Sequence, residues 1–191
     1  MIKDKTSDKR KIKNKRWRWV LKIMSLSFII SMVFSYVSSG ILESVNNSIA
    51  FLVLFIFISI GIVFDTIGVA ATSCEERQFH SMAAKKVKGA KEAVWLIHNA
   101  EKVASICNDV VGDISGIISG ATGAIIIARI TTSNSSAISM VIQLAITGLI
   151  ASLTIGGKAA GKGLGISNSA EILFAVGKVI DFVPFIDLNK K

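Results

Sequence analysis

The chain has 191 residues, 51% of them hydrophobic, and a formal net charge of +9. A mean hydropathy of +0.60 is too high for an ordinary soluble domain, and a charged fraction of 18% with a single proline excludes a disordered or proline-rich chain. The positive balance suits either nucleic acid or an anionic membrane surface, and the position of the charges decides between them.

Ten of the 22 Lys and Arg fall in the first 22 residues, among them Lys9, Arg10, Lys11, Lys13, Lys15, Arg16 and Arg18, with Trp17 and Trp19 beside them. An apolar run follows directly, so residues 1–22 read as a basic cytoplasmic tail with an interfacial aromatic anchor. Each such basic residue contributes about 1 kcal/mol near anionic lipid. Membrane lipid is the expected partner and nucleic acid is not. Residues 23–47 supply a first span and an outer turn, since Ile23 to Leu42 carries no charge and is long enough for a hydrocarbon core of about 30 Å. We read it as a retained span. Val37-Ser38-Ser39 before Gly40 also fits a signal-peptide cleavage site.

Ile49 to Ser73 is a second span, with Asp65 near its cytoplasmic end. From Cys74 to Lys102 charged residues interleave with Phe79, Met82, Val94, Trp95 and Ile97, the pattern of two short amphipathic helices at headgroup level, broken near Gly89. His80 and His98 have no partner at metal-ligand spacing, and Cys74 and Cys107 read as small apolar side chains.

The third span, Val103 to Ala128, holds Asp109 and Asp113 at helical i,i+4 spacing, and Gly112, Gly116 and Gly120 recur along a stripe that allows another helix to pack closely. An ionised carboxylate at bilayer depth costs about 2.5 to 3.5 kcal/mol on insertion scales, so these acids should face protein, water or a cation rather than lipid. Asp65, Asp109 and Asp113 are therefore expected to line one wet cavity.

TTSNSS at 131–136 is a turn. Ala137 to Ile155 is an uncharged fourth span with Gln143 and Thr147 as residues that either face the site or pack helices. From Gly156 the chain reads as polar and glycine-rich. Gly156, Gly161 and Lys162 match the start of a phosphate-binding loop, but Gly163 stands where a Ser or Thr would hold the metal and no strand precedes it, so no nucleotide is expected. Asn168 to Val183 has the spacing of a surface amphipathic helix, ended by Pro184, and residues 184–191 form a tail. With both termini inside, 21 of the 22 basic residues are cytoplasmic and Arg129 alone is outside. The expectation is an all-α integral membrane protein of the cell (plasma) membrane, multi-pass, with four transmembrane helices, amphipathic juxtamembrane helices and both ends in the cytoplasm.

Phe64-Asp65, Ala70, Thr72-Ser73, the run from Lys88-Gly89-Ala90-Lys91 to Asn99-Ala100-Glu101-Lys102, and the glycine-rich span after it resemble the transmembrane module of the CNNM/CorB/CorC family of magnesium transporters. Gly157-Lys158-Ala159-Ala160-Gly161-Lys162 lies where that family has G-E-x-x-P-K. The resemblance covers residues 48–183. It implies a homodimer, juxtamembrane helices and a magnesium site among the spans. By this resemblance Asp65 falls at a ligand Ser, while Asn108, Asp109 or Asp113 serves for a ligand Asn. The chain departs from the pattern where Gly68 and Lys158 replace Glu and Gly161 replaces Pro; the expectation is a module without the paired CBS domains of many members, with a separate regulatory protein as a candidate partner.

The function expected is a divalent-cation transporter or sensor of CorB type, for magnesium or cobalt. The alternatives are a non-transporting membrane assembly protein and a proton-coupled carrier of another solute. No nucleophile, base or cofactor fingerprint points to an enzyme.

Overall fold

The structure is a computed structural model that describes residues 3–131 and 137–182. Most of the expected turn at 131–136 and the whole tail 184–191, with Pro184, lie outside the described residues. Within them the chain is helical, with no strand. Stretches within four helices, Trp19–Val37, Asn47–Ser73, Ala100–Thr131 and Ser139–Ser167, are long and apolar enough to cross a membrane.

Helix α1 (Lys3–Ser44) runs unbroken from the basic tail through the first apolar segment, and α2 (Asn47–Ser73) returns after a short turn. Between α2 and the third span come two short helices, α3 (Arg77–Ala84) and α4 (Ala90–His98). The third span is composite: α5 (Ala100–Ala104), a π-helical segment Ser105–Gly112, and α6 (Asp113–Thr131). Helices α7 (Ala137–Ser167) and α8 (Ser169–Phe182) complete the described chain.

The second helix is the hub. One of its stripes, Ala50, Leu54 and Ile58, packs on Ile126 of α6. Phe57 joins Val110, Ile114 and Ile118, with Ile23 and Ile30 of α1 laid against them. The rings of Phe34 and Phe57 meet edge to face at 6.1 Å, a favoured aromatic geometry. The remaining core lies at the far end of α2, where Ala70, Ala71 and Cys74 meet Phe79, Ala93, Leu96 and Leu173.

In that last cluster α3, α4 and α8 turn apolar residues on one another and on the end of α2, leaving Val87 and Trp95 exposed. The contact is tight at Gly89, whose φ of 83° is the left-handed conformation glycine tolerates. There α8 passes so near that a Cβ on Gly89 would come within 2.6 Å of the Lys178 backbone nitrogen.

The polar, glycine-rich segment after Ile155, placed beyond the end of the fourth span, instead continues α7 to Ser167. Glycine weakens a helix by about 1 kcal/mol relative to alanine, so packing must offset the loss. Gly157, Gly161 and Gly165 share one face, which lies directly on Ile62, Thr66 and Val69 of α2. A helix of this length spans about 46 Å, which carries Lys158 and Lys162 along the second half of α2, beside Gly61 and Asp65.

Candidate cation site between α2, the π-helical segment and α7

Gly61, Asp65 and Gly68 fall on one face of α2 by helical spacing, and this face meets the π-helical segment. A Cβ on Gly61 would lie 3.2 Å from Ser115 Cβ and 3.6 Å from the Gly112 carbonyl oxygen. On Gly68 it would collide with the carboxamide of Asn108. Two glycines thus open a notch on either side of Asp65, and the Asn108 side chain fills the lower half.

Asp65 is 4% exposed. Its Oδ2 and the Oδ1 of Asn108 are both buried without a hydrogen-bond donor, although buried polar atoms are nearly always partnered. A carboxylate in such surroundings costs several kcal/mol unless a positive charge or donors answer it. The one charged contact to Oδ2 among the described residues is Lys162 Nζ at 3.8 Å. That is an ion pair by distance, too long for a hydrogen bond.

Lys158 is held differently. Its Nζ donates to the Gly112 carbonyl oxygen at 3.2 Å and lies 3.7 Å from Asp113 Oδ1. The end of its stem comes within 4.0 Å of the Gly61 Cβ position, while the Cβ position of Gly112 is 3.7 Å from Lys158 Nζ and 3.9 Å from Asp65 Oδ1. Gly112 is therefore where the buried acid and the bound lysine come together. It closes the π-helical segment, and such wide turns recur at functional sites because they break the regular i→i+4 ladder.

The acids are not gathered as the sequence led us to expect. Asp65 is buried, whereas Asp109 and Asp113 are exposed, and among the described residues no three His, Cys, Asp or Glu converge on a metal-sized position. The predicted residues split accordingly: Asp65 and Asn108 both lie on the α2 seam, Asn108 against Gly68, Asp113 stands at its edge with Lys158, and Asp109 is exposed. Gly112 belongs to the site.

Gly116 and Gly120 do not share it, since nothing approaches either within 4 Å. They line an open groove of about 540 Å³ between α6 and α7, together with Gln143 and Thr147. Gln143 and Thr147 thus belong to this groove and not to the acid site.

Lys158 and Lys162 were not among the expected site residues, yet they are the cations that contact Asp113 and Asp65. Their signal was present: both sit beside a glycine in an i,i+4 series that continues α7. Ending the fourth apolar segment at Ile155 hid it.

No family model matches this sequence, and no curated protein or solved structure matches it significantly.

Proposed function

We propose that this chain is a multi-pass protein of the cell membrane that binds a small hard cation, magnesium first, at Asp65 and Asn108, as a transporter or sensor. The observation that carries the reading is the Asp65 carboxylate, 4% exposed and with Oδ2 unbonded, inside a helix apolar enough to span a bilayer. Intramembrane carboxylates mark ion or proton pathways because their cost is otherwise uncompensated. Magnesium takes oxygen ligands and keeps several waters, so one carboxylate and one carboxamide oxygen with a wet opening suffice for an outer or partial shell. The order of elements supports the likeness to the CorB-type module: a span with an acid, juxtamembrane helices, and a glycine-rich span. The basic residues favour cytoplasmic termini, with the Lys162 side of the site toward that compartment.

Thermal unfolding of the purified protein with and without millimolar magnesium tests the proposal. A cation bound only by the folded state raises stability by RT ln(1 + [L]/Kd), so a rise in Tm that Asp65→Asn abolishes is expected. A rise equal in both proteins, or none in either, removes the site. Protection of Cys107, next to Asn108 in sequence, from a thiol reagent gives a second readout.

The open groove at Gly116 and Gly120 favours a second reading, assembly into a homodimer. Small residues let transmembrane helices approach, and an exposed carboxamide on an apolar helix, such as Gln143, gains from an interhelical partner. Gly116→Leu should then abolish the dimer without altering any magnesium dependence; an unchanged oligomeric state would exclude this face as the interface.

A further inference from the structure

We infer that Lys162 is a tethered counter-ion: its ammonium group holds the Asp65 carboxylate while no external cation is bound, and an arriving cation must displace it. The inference rests on the cation reading above and adds what sets the affinity of that site.

The two lysines of α7 are not equivalent. Lys158 has a side chain 22% exposed and two partners, the Gly112 carbonyl oxygen and Asp113. Lys162 has a side chain 54% exposed against 6% for Asp65, and its contact to Oδ2 is ionic without a hydrogen bond. It reaches inward from the wet end while the carboxylate stays fixed on α2. A lysine ammonium is compact, strongly hydrated and carried on a flexible stem, so retreat to water costs Lys162 little.

Pairing makes the consequence definite. Asp65 and Asp113 against Lys158 and Lys162 sum to zero, and because Lys158 is engaged with Asp113, it is withdrawal of Lys162 that leaves the Asp65 charge unanswered. The apparent affinity is then the intrinsic affinity scaled by the fraction of molecules in which Lys162 has left. Such a device keeps a membrane acid neutralised between binding events and denies it to weakly held ions.

Two measurements on the full chain decide the matter. In the wild-type protein, millimolar magnesium should raise the labelling rate of Lys162 by an amine reagent severalfold, while Lys178, whose Nζ lies over the Phe174 ring at 4.3 Å and away from the site, keeps its rate. In variants, Lys162→Gln should tighten magnesium binding about tenfold or more. Lys162→Arg should weaken it, because a guanidinium is less hydrated and grips a carboxylate through two parallel hydrogen bonds. Loss of structure would weaken both variants alike, so opposite shifts identify displacement. Wild-type binding that Lys162→Gln leaves unchanged or weakens, or labelling of Lys162 that magnesium does not alter, overturns the inference and leaves the cation reading standing. Absence of magnesium binding in every protein overturns both.

Discussion

Gly68 and the carboxamide of Asn108 occupy one notch: the position a Cβ would take on residue 68 falls against Oδ1 and 2.7 Å from Cγ of Asn108. Helix α2 has given up a side chain there so that an amide from the π-helical segment can sit one turn along the helix from Asp65. The vacancy Gly68 leaves for that amide is therefore part of the site.

Gly68→Ala should displace Asn108 and destabilise the fold by about 1–3 kcal/mol, the usual range for an overpacked interior. It should also abolish any magnesium-dependent rise in Tm. Gly116→Ala is the matched control, since a Cβ there meets nothing within 4 Å; it should not destabilise, and should raise stability by up to about 1 kcal/mol through helix propensity. Denaturation in mixed detergent, followed by circular dichroism, measures both. Equal effects would mean that α2 and the π-helical segment do not meet as described.

The cap that α3, α4 and α8 form at the end of α2 has its own point of failure at Gly89. An alanine would occupy the left-handed region, which costs an L-residue about 1–2 kcal/mol, and its Cβ would press on the Lys178 backbone nitrogen 2.6 Å away. Neither backbone can yield locally, because Gly177 is packed equally close from the opposite side. Gly89→Ala should loosen α8 from α4, seen as faster hydrogen exchange in 169–182 with the spans unchanged. Exchange that stays slow would show that the crossing tolerates a side chain.

Much of this architecture is legible in the sequence, and the part that is not has a physical cause. Apolar length alone finds the four helices long enough to cross a membrane, because a bilayer would require that length. Periodicity finds the helices around Phe79, Leu96 and Leu173, but an apolar stripe fits a lipid surface and a neighbouring helix equally well, so their mutual packing is invisible without coordinates. Asp65 stands out as an acid in an oily run. Its partners do not. Lys162 is far along the chain in a glycine-rich stretch whose composition reads as a loop, and only contact with Ile62 and Thr66 makes that stretch a helix. The wide turn at Ser105–Gly112 leaves no sequence mark that we recognise, and the exposure of Asp109 is a matter of tertiary placement.

Cys74, just beyond the end of α2, offers a pH-dependent reporter of the cap. Burial pushes its thiol above the usual value, the neighbouring Glu75 charge adds to the rise, and a hydrogen bond with Ser169 opposes it. The folded state thus disfavours the thiolate. Any stability this contributes is fully present below the unfolded thiol pKa and is lost as pH climbs through the higher folded value. Alkylation should consequently be slow near neutral pH and accelerate only in alkaline solution. Ser169→Ala should move the midpoint of the rate profile further up and Glu75→Gln should move it down. A midpoint matching that of a free thiol would mean that α8 does not cover Cys74.

At the other end of the bundle, Arg129 donates through Nη1 to the Val45 carbonyl oxygen at 3.0 Å. Val45 lies between the end of α1 and the start of α2, where helix ends leave carbonyls without intrahelical donors, so the guanidinium ties the α1–α2 turn to the end of α6. A hydrogen bond from a charged donor contributes about 1.5–3 kcal/mol. Arg129→Met keeps the length of the stem but removes the donor, and should lower stability by that amount while raising proteolytic cleavage at 45–47. Because Arg129 is distant from Asp65 along both α2 and α6, magnesium affinity should not follow the loss in stability. Coupled loss of both would show instead that the outer turn controls the position of α2 at the acid, and that the two ends of the bundle move as one body.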